Sequence, residues 1–288
     1  MTLLTSNQVG YAPQTNTALG GAFSSNPAVF ANVNALNPAA TGGNNSAFGA
    51  NSLIALTTAS DNTAVGANAM ASNITGEDNN AFGSNALADL VNGDGNNAFG
   101  FNSLLRNAPG TAVGEQGHDN NAFGNSTLQA NTLGQGNTAI GESALRNNQL
   151  GNQNVAVGMN ALNNNLSNQN VAVGYEALTG NTTGTSNTAI GYRANIPEAT
   201  STGTTSVGAF SEASGFSGTA VGFGARANNF GATAIGSGAA TTRANQMALG
   251  TAANTYTLAG VNSSASAAAQ SGPTEFVTSD SNGNLATD

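Results

Sequence analysis

The side chain with the clearest potential for chemistry is His118, the one histidine in the chain, in the segment Gly117-His118-Asp119-Asn120. A histidine beside an aspartate is able to bind a metal ion or to act in an acid–base pair. A metal site needs further ligands, and the sequence has no second histidine and no cysteine to supply them. We therefore expect His118 to be a solvated turn residue. The sequence predicts no catalytic residue, no metal ligand and no cofactor.

A second candidate is the segment Asn92-Gly93-Asp94-Gly95-Asn96, which is similar to a calcium-binding turn rich in Gly and Asp. Calcium β-rolls repeat such a motif in every coil, whereas this one occurs once. Asn and Asp beside Gly are also the usual residues of surface turns. We expect a surface turn here.

Two sets of side chains at fixed positions of a repeat suggest binding surfaces. Thr63, Thr138 and Thr188 share one position, as in an ice-binding array, but Ser, Asn or Val fills that position in other copies. This irregularity favours strand packing, and an ice-binding solenoid remains an alternative. Four phenylalanines fill a neighbouring position and are expected in the core instead of on a carbohydrate platform. They are Phe48, Phe82, Phe99 and Phe123.

Charge and composition exclude several classes of function. Only 7% of the 288 residues are charged, the net charge is −9, lysine is absent and the five arginines are scattered. Nucleic-acid binding needs clustered basic residues, and an anionic membrane surface would repel this chain. No run approaches the 18 apolar residues of a membrane span, so we expect no direct membrane insertion by this segment.

The organising feature is a short step of Ala, a large apolar residue and Gly, which recurs fifteen times. From Gly49 to Gly250 the intervals are mostly 17 or 14 residues, with steps of 14 and 10 on either side of Gly114. A unit this short cannot bury a face alone, so the copies must stack as a solenoid. The glycines predicted to be structural are Gly49, Gly66, Gly83, Gly100, Gly124, Gly141, Gly158, Gly174, Gly191, Gly208, Gly222, Gly236 and Gly250.

Asparagine recurs two residues before the Ala of the step. Stacked Asn side chains hydrogen-bond along parallel in-register assemblies, so we predict an asparagine ladder along the stack. Its members are Asn45, Asn62, Asn79, Asn96, Asn120, Asn137, Asn154, Asn170 and Asn187.

These units predict an elongated all-β, parallel β-solenoid of 14–17-residue coils, each with two strands of about five residues and two turns. Both faces of the repeated strand are apolar or small, a pattern typical of strands that are buried on both sides. A thin coil has only one interior, so its second face needs a cover. Copies of the same chain around a rotation axis would supply it, which predicts a homo-oligomer.

The units ending at Gly158 and Gly191, with the 14-residue steps that end at Gly222, Gly236 and Gly250, resemble the head repeats of trimeric autotransporter adhesins, the YadA-like family. The resemblance covers roughly residues 44–260. It divides the chain into an N-terminal cap or irregular first coil (1–43), head repeats (44–250) and a neck-like segment (251–288).

The resemblance implies a left-handed parallel β-roll, a homotrimer, and a virulence-related, non-catalytic role at the cell surface. It implies projection from a Gram-negative outer membrane and binding to extracellular matrix protein, glycan or cells, with the anchor outside this chain. Most units here have 17 residues instead of the 14 of compact heads. Such longer repeats also resemble some phage tail-fibre shafts, so a structural fibre is the first alternative function.

Overall fold

The computed structural model describes residues 17–18, 34–109, 117–194, 200–255, 277–279 and 285–287. The chain divides into two compact units, Met1–Thr251 and Ala252–Asp288. Sixteen strands and no helix occur in the described residues. In the first unit, fourteen strands form one parallel sheet, and each strand pairs with the next one in sequence. This confirms an all-β parallel solenoid.

The fourteen strands are short, and their positions follow the Ala-large-Gly step. They are β1 Thr17–Ala18, β2 Ser46–Phe48, β3 Thr63–Val65, β4 Asn80–Phe82, β5 Asn97–Phe99, β6 Asn121–Phe123, β7 Thr138–Ile140, β8 Val155–Val157, β9 Val171–Val173, β10 Thr188–Ile190, β11 Thr205–Val207, β12 Thr219–Val221, β13 Thr233–Ile235 and β14 Met247–Leu249. In the second unit, β15 Val277–Ser279 pairs antiparallel with β16 Leu285–Thr287.

Strand pairing keeps the repeat in register. In the 17-residue coils each residue pairs with its equivalent one coil later, as Ala139 does with Ala156. The central Ala of β2–β10, β12 and β13 and the central Ser206 of β11 are buried, while the two flanking residues face outward and are partly or largely exposed. This is the alternation that a strand imposes on successive side chains. The small Ala allows the sheet to approach the opposite wall of a thin coil.

The prediction of two strands per coil is wrong for the 17-residue coils. Their opposite wall has no second strand in the described residues. After the glycine, the chain passes through left-handed residues such as Ser143 (φ 58°) and Leu145 (φ 50°), a conformation that no strand contains. In nine coils a buried large side chain occupies the second of these positions, at φ between 49° and 56°. These residues are Leu36, Leu53, Met70, Leu87, Leu104, Leu128, Leu145, Leu162 and Leu178.

Burial explains why leucine tolerates this backbone. A left-handed conformation costs a non-glycine residue roughly 1–2 kcal/mol. Full burial of a leucine side chain contributes about 1.5–3 kcal/mol, which offsets that cost. Glycine would remove the strain but would leave the coil without its largest core side chain.

The C-terminal coils are closed differently. From β11 to β14 the strands repeat every 14 residues. The opposite side of these coils carries isolated parallel bridges, from Glu212 to Arg226 and from Arg226 to Ala240. Their core cluster consists of alanines alone. Shortening the coil therefore replaces the left-handed Leu turn with a rudimentary second strand.

The irregular spacing near Gly114 is a single long coil, so the predicted steps of 14 and 10 are wrong. β5 pairs directly with β6, joining Phe99 to Phe123 across 24 residues. Asn107 Nδ2 donates to the Gly117 carbonyl (2.6 Å) in the way that Asn131 Nδ2 donates to Gly134 three residues later. These equivalent bonds span ten residues in the first case and three in the second, so this coil is seven residues longer than the coil that follows it. Gly114 lies outside the described residues, as does Gly20.

The glycine column requires glycine, as Gly158 illustrates. Its φ is 131°, and a Cβ there would lie 2.4 Å from the carbonyl oxygen of Gly174 in the next coil. We expect Gly158→Asn to lower the free energy of unfolding by about 1–3 kcal/mol or more, from strain and this clash together. The same substitution at Gly224 is the control, because φ there is 61° and nothing lies within 4 Å. Thermal melting of the two variants should differ clearly, and equal melting would contradict the argument.

Deletion of whole coils tests the repeat unit. Removal of Gly141–Val157 joins Ile140 to Gly158 and preserves every column, so the protein should fold with one coil fewer. Removal of eight residues, Gly141–Asn148, shifts all columns out of register and should unfold or aggregate it. Circular dichroism and small-angle X-ray scattering would measure both outcomes. Identical behaviour of the two deletions would show that the 17-residue coil is not the folding unit.

Candidate functional site

The nine asparagines of the predicted ladder are fully buried inside the coil stack. At a typical junction, Asn137 Oδ1 accepts from the main-chain N–H (3.0 Å) and from Nδ2 (3.1 Å) of Asn154. Asn137 Nδ2 in turn donates to the Gly151 carbonyl (2.8 Å) across its own coil. Each amide thus closes one coil and ties it to the next. Because these side chains are inaccessible, their role is structural.

A second buried asparagine column escaped the sequence analysis. Asn148 Nδ2 donates to Asn131 Oδ1 (2.9 Å) and to the Gly151 carbonyl (2.8 Å). The sequence signal was present, since each member follows the left-handed Leu or Met by three residues. In two coils the same position holds a buried leucine, Leu56 or Leu90. The members of this column are Asn73, Asn107, Asn131, Asn148, Asn165 and Asn181.

His118 is not the solvated residue that we expected, because its side chain is only 17% exposed. Its Nδ1 accepts a hydrogen bond from the main-chain N–H of Asp94 (3.0 Å) and lies 3.6 Å from Asp94 Oδ2. The His118 ring therefore holds a main-chain group of the preceding coil.

The Gly-Asp turn at Asp94 also forms structural hydrogen bonds with the preceding coil. Asp94 Oδ1 accepts from the main-chain N–H of Glu77 (2.8 Å), and the Gly93 carbonyl accepts from Asn79 Nδ2 (2.8 Å). Within the described ranges, no group of three or more His, Asp or Glu side chains is arranged to hold a metal ion.

The phenylalanines predicted to be core residues lie on the outer face of the sheet. Phe82 and Phe123 are 37% and 40% exposed. Their rings stack on Phe99 with centroids 4.7 and 4.8 Å apart and nearly parallel planes. Ring faces therefore cover one another, and ring edges point outward. The prediction assigned the Phe side of the strand to the core, whereas the coil interior accepts only a small side chain at this position, Ala or Ser206.

The outer sheet face continues beyond these rings as aliphatic residues. The equivalent position holds Ile or Val in β7–β13, with Ile140, Ile190 and Ile235 between 41% and 43% exposed. The threonine position lies on the same face, two residues earlier, and carries Thr in four successive strands, β10–β13. We call the surface formed by these two outward positions of β2–β14 the outer sheet face.

An aromatic stripe borders the outer sheet face in the C-terminal half of the stack. Tyr175 and Tyr192 stack with centroids 5.3 Å apart, and Phe210 meets Tyr192 edge to face at 5.2 Å. Arg193 Nε lies 2.7 Å from Glu176 Oε2. Hydrogen bonding to Tyr175, and then to Arg193, lowers the pKa of Glu176, and its hydrogen bond with Glu176 raises the pKa of Tyr175. The charges beside the stripe are thus paired.

A polar groove lies on another side of the stack. Its volume is about 440 Å³, and four consecutive coils contribute to its walls. Its lining is amide-rich, with one acid. The lining side chains are Asp119, Gln135, Asn152, Gln153, Asn168 and Gln169.

Comparison with protein-family models finds no match to this chain, and comparison with curated protein sequences finds none. The resemblance to adhesin heads therefore rests on the repeat residues alone. Among the described residues, no helix is long and apolar enough to cross a membrane.

The asparagine ladder predicts that removal of one buried amide strongly lowers the free energy of unfolding. Asn137→Ala leaves the Asn154 N–H without its acceptor and removes one of the two donors to the Gly151 carbonyl, which keeps Asn148 Nδ2. An unsatisfied buried group costs about 1–3 kcal/mol, and we expect a loss of at least this size in unfolding free energy by denaturant titration. Asn147→Ala is the control, since this neighbouring amide is exposed and bonds only to Asn163 and Asn164 side chains. A similar loss in both variants would contradict a special role for the ladder.

Proposed function

We propose that the coil stack is the non-catalytic head of a cell-surface adhesin, which binds partners along its length and assembles as a homotrimer of left-handed coils. One observation carries the proposal. The outer sheet face presents a continuous apolar column along the parallel sheet, with residues such as Ile140, Ile190 and Ile235 more than 40% exposed in the single chain.

Such a surface needs a cover. A monomeric protein rarely exposes a long contiguous apolar patch, whereas protein interfaces are built from them. Every coil offers the same outward position, so a copy placed side by side in register meets an equivalent column. Rotational symmetry then buries this face in every copy. The number three follows the resemblance to adhesin heads.

The remaining surface supports a binding role spread over many coils. The exposed turns are mostly Asn, Gly, Ser and Thr, with few charges. Repeated weak contacts along a stack gain affinity through multivalency when the partner is extended or repetitive. Matrix proteins, glycans and cell surfaces have this character. A location at the surface of a Gram-negative cell follows the resemblance to adhesin heads.

The oligomer can be tested at the outer sheet face. Analytical ultracentrifugation should give about three times the chain mass of 28.2 kDa. Ile140→Asp combined with Ile190→Asp should dissociate this assembly, because two carboxylates per chain would be buried at the interface. Ile54→Asp should leave it intact, since Ile54 is 36% exposed but lies in a turn away from the sheet.

The same proteins test the activity. Beads coated with the wild-type chain should adhere to immobilised extracellular matrix or to cultured cells, and beads coated with the Ile140→Asp, Ile190→Asp variant should adhere less. A stable wild-type monomer at micromolar concentration would exclude the trimer. Beads that adhere to neither surface would exclude the adhesin.

A further inference from the structure

The polar groove is built by the same corner of four consecutive coils. In three of them Gln135, Asn152 and Asn168 stand two residues before a ladder asparagine, and Gln153 and Gln169 come directly after Asn152 and Asn168. We call this surface, with Asp119 at its N-terminal end, the amide groove. Its repetition with coil spacing makes it a linear site along the stack.

Two of its amides have a defined orientation. Asn152 Oδ1 accepts from the main-chain N–H of Gln135 (2.8 Å), and Asn168 Oδ1 accepts from that of Asn152 (2.7 Å). The oxygen of each amide is therefore engaged with the preceding coil. Across the described coils, the Nδ2 groups of Asn152 and Asn168 have no acceptor within hydrogen-bond distance. The groove thus offers two outward donors, about 4.8 Å apart along the stack.

An apolar stripe accompanies these donors. Leu133, Leu150 and Leu166 are 39%, 55% and 44% exposed and stand two residues before the three amides. Three exposed leucines in consecutive coils are unusual on a surface dominated by small polar residues. A ligand that follows the groove therefore meets a line of donors with apolar side chains beside it.

The charge of the groove selects against anions. Asp119 is its one ionisable lining residue, no basic residue lines it, and the chain carries a net charge of −9. An anionic polymer would be repelled. A neutral ligand with hydroxyl groups is accepted, because hydroxyl oxygens accept from Asn Nδ2 while hydroxyl hydrogens donate to the Asp119 carboxylate.

We infer that the amide groove binds a neutral, extended β-linked polysaccharide strand that runs along the coil stack. Such a chain presents hydroxyl and ring oxygens along its edges and C–H groups on its faces, which match the donors and the leucines. The length of one sugar residue in it is close to the strand spacing of about 4.8 Å, so successive coils meet successive sugars. The inference rests on the proposed binding function and names a ligand class for it.

The test uses cellohexaose, a neutral β-1,4-linked glucose hexamer, titrated into the full chain by isothermal calorimetry. Asn152→Asp combined with Asn168→Asp keeps each main-chain acceptor but replaces the outward donor with a carboxylate oxygen. We expect at least tenfold weaker binding. Asn147→Asp combined with Asn164→Asp adds the same charge to exposed amides outside the groove and should bind as the wild type does.

A neutral variant separates charge from geometry. Leu150→Ser combined with Leu166→Ser removes the apolar stripe and should also weaken cellohexaose binding. Thermal melting establishes that each variant is folded. Binding of a heparin hexasaccharide in place of cellohexaose, binding of neither sugar, or unchanged affinity in both groove variants would overturn the inference. Adhesion of beads in the absence of cellohexaose binding would overturn this ligand class and leave the proposed function standing.

Discussion

The 17-residue coils depend on buried amides that satisfy the main chain of a very thin coil. A coil with three-residue strands has an interior too narrow for a hydrophobic core several side chains deep, yet its corners turn polar main-chain groups inward. Unsatisfied, each such group would cost about 1–3 kcal/mol. Asparagine suits this interior because one short side chain both accepts and donates twice. Asn137 uses all of this capacity, in bonds with Asn120, Gly151 and Asn154.

Loss of the hydrogen bonds made by the buried amides explains the change from 17-residue to 14-residue coils. After Asn187, the ladder position is filled by Thr204, whose main-chain N–H and hydroxyl both donate to Asn187 Oδ1 (3.0 and 2.8 Å). Beyond it stand Gly218 and Ala232, and the second asparagine column has ended at Asn181. The coils without buried amides have 14 residues. Alanine packing and the Glu212–Arg226–Ala240 bridges then stabilise the stack.

The sequence predicts what repeats with identical spacing and fails where one pattern fits two conformations. The strand register follows from the Ala-large-Gly step, and the ladder position follows from its asparagines. An Ala-Leu pair such as Ala144-Leu145 has the same composition in a strand and in a left-handed turn, so the turn was missed. Strand alternation likewise places the side chains of Phe99 and Ala98 on opposite faces but does not show which face is buried. The narrow width of the coil decides that the Ala98 side chain is the buried one.

This division between interior and exterior leaves the outward columns free to vary. The corner that carries the amide groove is acidic earlier in the stack, at Glu77 and Asp94, and aromatic later, at Phe216 and Phe230, whose rings stack at 6.0 Å. The ladder asparagines are the same beneath the acidic and the amide coils, so substitution of these outer residues leaves the ladder contacts intact. The chemistry offered to a partner therefore changes with position along one edge. A stack of nearly identical coils acquires distinct binding regions in this way, each as long as the run of coils that shares its outer residues.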